Sequence, residues 1–343
     1  MTKSVVAALA AALLAFGLFP QTSARAGDLE LTHIKLAVGG APSLFYLPLA
    51  VTDRLGYFKD EGLDVQISDF QGGAKSLQAM IGGSADVVAG AYDHTIQMAA
   101  KKQPITAVVE LGQFPGFVLL GVKDKLKDYK SPADLKGLKI GVSAPGSSTH
   151  FMVLYMMAKA GLKPSDASFL GVGTSSTAVA AVKRGEIDAL VAVDPVVSVL
   201  EGEGLVRILA DTRTLKGATD VYGGPVPAAV LYVPAAFPEK NPNTTQALVN
   251  AFVRGLKWMH SHSAAEIVKL MPPEWALGNP GIYEKSIASG LPTYSPDGRF
   301  APGTPENVLK VLKEFDANVQ KASIDLGKTY TNRFVDAALA AKK

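Results

Sequence analysis

The chain has 343 residues, 48% of them hydrophobic, with 34 basic side chains against 31 acidic and no cysteine. Without cysteine there are no disulfides, thiol nucleophiles or thiolate metal sites, and no residue for the acyl anchor of exported lipoproteins. A near-neutral balance offers nucleic acid no basic field, and the length suits two domains better than one core.

The chain opens MTKSVVAALAAALLAFGLFPQTSARA. Lys3, the apolar run Val5–Leu18 and the small residues around Ala24-Arg25-Ala26 predict a signal peptide over 1–26, removed after about Ala26. Removing it leaves 32 basic against 31 acidic residues. No later stretch approaches the roughly 18 apolar residues of a membrane span. An exported chain with no lipid anchor is expected in a Gram-negative periplasm.

His33–Val38 alternates as a strand, Phe45–Leu55 has helical spacing up to Gly56, and Leu63–Ile67 alternates again. A helix follows, then a strand at Ala85–Ala89, a helix over Tyr92–Lys101 and a strand at Ile105–Leu111. Ser131 and Pro132 start a short helix as N-cap and first helical residue. Lys139–Val142, Phe169–Val172 and Asp188–Ala192 read as further strands alternating with helices, which implies parallel sheets. After Tyr222 comes one strand, in YGGPVPAAVLYVP, and then helices over Asn243–His262, Ala264–Leu270, Pro280–Ser289, Pro305–Lys321 and Arg333–Ala341.

Two pairs of segments echo each other. KLAVGGAPS at Lys35 aligns with KIGVSAPGS at Lys139, 104 residues on, and GGAKSLQAMIGGSADVVAG at Gly72 with TSSTAVAAVKRGEIDALVA at Thr174, 102 residues on. A chance match would not be expected twice at nearly one spacing. The repeat predicts two α/β lobes on one plan: residues 27–118 with 225–343, and residues 119–224. They would be joined by a two-strand hinge where the chain leaves near Phe114–Leu120 and returns near Gly223–Val230.

In open parallel sheets, ligands bind beyond the C-terminal strand ends. Here those loops are rich in Gly, Ser and Thr, and the helix tips they feed carry unpaired amides and a partial positive charge. The candidate ligand contacts are therefore Ser43, Gly73, Ala74, Ser147, Ser148 and Thr149 as donors, and Phe45, Tyr46, Tyr92 and Tyr222 as pocket walls. Ser147, Ser148 and Thr149 could equally only cap their helix, and Phe45 and Phe114 could be core. Asp93 and Asp194 could meet an amine or hydroxyl, or cap the helices that follow. Lys75 is the one cation nearby, while His94 and His150 read as helix-surface residues.

No catalytic motif stands up. There is no G-x-S-x-G turn, and His260 and His262 are two apart on a helix and so on different faces. The segment ASIDLGKT at Ala322 lacks the first glycine of a phosphate loop and follows a helix rather than a strand. No enzyme activity, metal or cofactor is expected.

RLGYFKDEGLDVQI, GGAKSLQAMIGGSADVV, SPADLKGLKIGVSAPGSS and VKRGEIDALVAVDP together resemble the solute-binding proteins of nitrate/sulfonate/taurine-type ABC transporters, over roughly residues 33–235. That resemblance implies a two-lobed periplasmic-binding-protein fold of type II, closure on a small ligand, and delivery to an inner-membrane permease whose ATPase is a separate chain. It places ligand contacts at Ser43–Tyr46, Gly72–Lys75, Tyr92–Asp93, Ser147–Thr149 and around Asp194. Many relatives carry an aromatic before that Asp-Pro, where this chain has Val193. The expected ligand is a small organic anion, a sulfonate or aromatic carboxylate, bound by a monomer. A thiamine-type pyrimidine or other cationic ligand is the alternative, as is a sensor subunit of the same fold.

Overall fold

The structure, a computed structural model, describes residues 28–341; the signal peptide expected over 1–26 lies outside them. Its strands are β1 (His33–Val38), β2 (Asp64–Asp69), β3 (Val87–Ala91), β4 (Ile105–Glu110), β5 (Val118–Val122), β6 (Lys139–Val142), β7 (Ser168–Gly171), β8 (Ala189–Ala192), β9 (Val206–Asp211) and β10 (Ala229–Pro234). They form two five-stranded sheets, ordered β2-β1-β3-β10-β4 and β7-β6-β8-β5-β9. The two orders superpose strand for strand. The 104-residue echo is thus the same position, β1 and β6, in two sheets.

The duplication extends to single hydrogen bonds. Asp86 Oδ2 accepts the Lys35 amide at 2.8 Å, and Asp188 Oδ2 accepts the Lys139 amide at 2.8 Å. In each sheet the carboxylate before the third strand pins the strand beside it.

The sheets are mixed rather than purely parallel. β5 runs antiparallel to β8 and β9, and β10 antiparallel to β3 and β4. These are the two strands that follow a crossing. The chain crosses where the parallel strands end, so the next strand must run back away from that edge. The strand β9 and the antiparallel setting of β5 and β10 escaped the sequence reading because short apolar runs carry no direction.

Several boundaries also shift, three of them for a visible reason. The first helix is split into a 3-10 turn, Leu44–Tyr46, and an α-helix, Leu47–Arg54, with Pro48 in the first turn, where its missing N–H costs nothing. β3 begins at Val87, after a left-handed Gly83 (φ 78°) and the Asp86 clamp. The expected helix Pro305–Lys321 breaks at Glu314–Asp316. Asp316 accepts the Asn318 and Val319 amides and starts a new helix, Ala317–Lys321.

Every residue of β3 and β4 is buried. The long helix Pro242–Ser261 covers the first sheet with Leu248, Phe252 and Leu256. That core continues through Phe45 and Phe117 into the helix Ser148–Lys159, and the second sheet keeps a smaller cluster around Val118, Leu190 and Val196. Among the described residues no helix is long and apolar enough to cross a membrane.

Candidate ligand-binding site

The loops after β1, β2 and β3 face those after β6, β7 and β8 across a closed seam. Four hydrogen bonds cross it. The Ala74 amide donates to Ser147 Oγ at 2.9 Å, Ser148 Oγ to Asp93 Oδ1 at 2.8 Å, the Leu44 amide to the Asp194 carbonyl at 2.9 Å, and Ser286 Oγ to Ser198 Oγ at 3.0 Å. Glycine permits the approach. A Cβ on Gly40, whose φ is +138°, would stand 2.2 Å from Thr174 Oγ1, and one on Gly72 would meet Ala144 Cβ at 2.8 Å.

Between the loops lies a pocket of about 30 Å³, walled by Phe45, Phe117 and Val193 and lined with Ser43, Tyr46, Gly73, Ser148, Thr149 and Thr174. Phe117 stacks on Phe45 at 5.2 Å. Three amides at its edge, those of Gly73, Ser148 and Thr149, have no hydrogen-bond partner among the described residues. They are the first-turn amides of two helices, Gly73–Ile81 and Ser148–Lys159, orphaned by helix geometry. The Tyr46 hydroxyl and the buried Thr174 Oγ1 are also unpaired among those residues. Burial holds the Tyr46 phenol well above its ordinary range, so it is a neutral donor. The pocket therefore gathers hydrogen-bond donors from both lobes and no cation.

The remaining candidates fall elsewhere. Thr149 Oγ1 accepts the Ser143 amide at 3.0 Å and fixes the end of β6. Ser147 Oγ serves Ala74 of the facing lobe rather than its own helix. Asp93 and Tyr222 face a second narrow cavity, about 40 Å³, on the other side of Phe117. Burial raises the Asp93 carboxyl above the usual carboxylate range, against the opposing pull of His94 and the Ser148 hydroxyl. Asp194 does cap its helix, with Oδ1 accepting from Ser198 N at 2.9 Å and Ser198 Oγ at 2.6 Å.

Tyr92 is turned away from the site. Its hydroxyl meets Thr329 Oγ1 at 2.6 Å and its ring packs beside Phe300 in the core, so it is not a pocket wall. Lys75 is exposed and lines none of these cavities. His94 is buried, not on the surface, and burial pushes its pKa down. His150 accepts the Gly146 amide at 3.0 Å, and burial holds its pKa at about 4.

Beside Phe45 opens a larger cavity of about 330 Å³, which sequence reasoning missed. Arg213 and Asp211 reach it from the end of β9, and Ser286, Thr293 and Tyr294 from the helical tail. No local motif marks these residues; only the packing of the tail against the second lobe brings them there.

The NMT1/THI5-like family profile matches residues 46–265. The chain belongs to that family. Among curated relatives, the putative binding protein YtlA of Bacillus subtilis (strain 168) is 25% identical over 272 residues, covering 78% of each chain. A 4-amino-5-hydroxymethyl-2-methylpyrimidine phosphate synthase of Aspergillus parasiticus is 26% identical over 254 residues, covering 71% of this chain and 72% of that one. Among solved structures, a Bordetella bronchiseptica RB50 protein is 47% identical with a TM-score of 0.89, covering 92% of this chain and 99% of the other. The alkanesulfonate-binding protein SsuA of Xanthomonas axonopodis pv. citri, bound to MOPS, superposes with a TM-score of 0.67 at 19% identity, covering 90% and 98%. The fold is that of the periplasmic binding proteins, two mixed sheets flanked by helices.

Proposed function

We propose that this protein is the solute-binding component of an ABC importer, and that it captures a small organic anion between its lobes and delivers it to a membrane permease with a separate ATPase. The observation that carries this is the convergence of unpaired donors from both lobes, the amides of Gly73, Ser148 and Thr149 with the hydroxyls of Tyr46 and Thr174, on one pocket walled by rings. Fixed N–H dipoles in a water-poor site stabilise an oxyanion without a counter-cation. Ligand contacts made to both lobes at once favour the closed form, which is the state a permease can distinguish from the empty one. The lobes on this reading are residues 27–118 with 225–343, and 119–224, hinged at the two crossings. The ligand set is Ser43, Phe45, Tyr46, Gly73, Ser147, Ser148 and Thr149, and the chain acts as a monomer in the periplasm after loss of a leader near Ala26.

A thermal-shift screen over alkane- and arylsulfonates, aromatic carboxylates, nitrate and pyrimidines tests it, since a ligand that binds only the native state raises the melting temperature. Sulfonates or carboxylates should stabilise the protein. Stabilisation by pyrimidines alone would defeat the anion reading.

A further inference from the structure

The 330 Å³ cavity lies beside the donor pocket and shares Phe45 and Val193 with it as walls. It is far too large to be a packing defect: a cavity of about 150 Å³ already accepts benzene. Its sides are apolar, with Phe45, Phe114 and Tyr294 presenting rings. Its far end carries the Arg213 cluster. That guanidinium donates to Asp211 through Nη2 at 2.7 Å and Nε at 3.1 Å, and makes longer contacts from Nη1 to Asp194 Oδ2 at 3.4 Å and Glu201 Oε2 at 3.5 Å. One positive charge thus faces three carboxylates, so the cluster carries a surplus of negative charge. The Asp194 side chain is only 8% exposed, and its Oδ2 has the long Arg213 contact alone. A second anion would be repelled here. An ammonium or amidine would meet a poorly satisfied carboxylate oxygen beside aromatic faces.

We propose that this chamber is a second compartment of the ligand site, taking a ring-bearing body that ends in a cationic or donor-rich group. The anionic head stays at the amides of Gly73, Ser148 and Thr149. The ligand class is then an amphoteric aromatic, acidic at one end and basic at the other. This rests on the anion reading for the head only. Val193, a small side chain, lines both compartments.

Titration calorimetry of the purified protein with benzenesulfonate, 4-(aminomethyl)benzenesulfonate and benzylamine tests it. The aminomethyl sulfonate should bind about tenfold more tightly than benzenesulfonate. Asp194→Asn, which keeps a cap acceptor for Ser198, should bring that ratio to about one. Ser289→Trp, which fills the chamber from its exposed rim, should lower the ratio without disturbing the core. Equal affinities in the unaltered protein, or a ratio unmoved by both variants, would overturn the chamber assignment. Binding of benzylamine alone, lost in Asp194→Asn, would uphold the chamber and overturn the anionic head. Silence from all three at millimolar concentration would overturn both.

Discussion

The two sheets share a frame and differ at their tips. Lys35 with Asp86 and Lys139 with Asp188 make the same clamp, and Gly83 and Gly185 take the same left-handed turn before it. At the loops the likeness ends. Ser43 Oγ accepts an amide of its own turn, Phe45 N, at 3.3 Å, whereas its counterpart Ser147 accepts Ala74 N from the opposite lobe at 2.9 Å. Gly40 of the first lobe corresponds to Ala144 of the second, which already carries a methyl group. The frame was kept because it holds each sheet together. The tips differ because each makes its own contacts across the seam, with Ser147 accepting Ala74 N and Gly40 lying against Thr174.

The largest expected effect breaks that interlock. Gly40→Val puts a branched side chain where Thr174 leaves no room and where φ is +138°. The clash with Thr174 costs about 1–3 kcal/mol and falls on the closed form, while the backbone strain falls on both forms, so affinity for the best ligand of the thermal-shift screen should fall by about 10- to 100-fold. Ala144→Val, at the equivalent place in the other lobe, should cost less, since the backbone there already tolerates a Cβ. Equal losses measured by calorimetry would mean the tips are interchangeable.

The shared frame is tested by unfolding. Both carboxylates are half-buried, but Asp188 also accepts Lys125 Nζ at 2.8 Å, while Asp86 makes only the amide clamp. Hydrogen bonds to charged groups contribute about 1.5–3 kcal/mol when buried and less at the surface. Asp188→Ala should therefore destabilise by about 2 kcal/mol and Asp86→Ala by about 1 kcal/mol in urea titration. A reversed order would show that the Lys125 partner does not strengthen the clamp.

A smaller effect is expected at the paired serines. Ser147→Ala leaves the Ala74 amide without its acceptor only in the closed form, so ligand affinity should drop about tenfold. Ser43→Ala removes a long bond within one lobe and one hydroxyl from the pocket, and should lower affinity by about threefold, less than Ser147→Ala. Similar losses from both would deny Ser147 its role across the seam.

What the sequence revealed follows this same division. Strands such as His33–Val38 and Lys139–Val142 were legible to the residue, because alternation and the repeat both mark them. Six small-residue loops converging on a cleft were legible because strand ends and helix starts are local events. Tyr92 was misread as a pocket wall because a residue beginning a helix can project to either side, and Thr329, 237 positions away, draws it into the core. Arg213 and the chamber were invisible for the same reason: helix Pro280–Gly290 meets the second lobe through a contact between Ser286 and Ser198, 88 residues apart. Local pattern fixes elements, and only the folded chain decides which distant ones face each other.

The smallest expected effect is on pH, and it concerns Asp93, a first-lobe carboxyl that the second lobe covers. Ser148 lies on it from the helix Ser148–Lys159, with Tyr222 and Phe117 lining the same small cavity. The ionisable groups acting on it are His94, whose pKa burial lowers, and the phenols of Tyr46, Tyr222 and Tyr232; neither Lys nor Arg is among them. Closing the lobes removes water from the carboxylate and supplies one hydroxyl in return, so the closed form holds its proton more tightly than the open one. Closure therefore takes up a proton in the interval above the ordinary value of 3.8, and as pH rises through that interval the closed form loses stability. Affinity for an anion whose own charge is constant should weaken as pH rises through that interval. In Asp93→Asn that decline should vanish. His94 titrates in the opposite sense, its lowered pKa opposing the native form as pH falls below 6.5, and it is coupled to Asp93, so the comparison is made in a His94→Gln background where Asp93 alone differs. A pH profile identical in the two, followed by calorimetry, would mean that Asp93 keeps its water when the lobes meet.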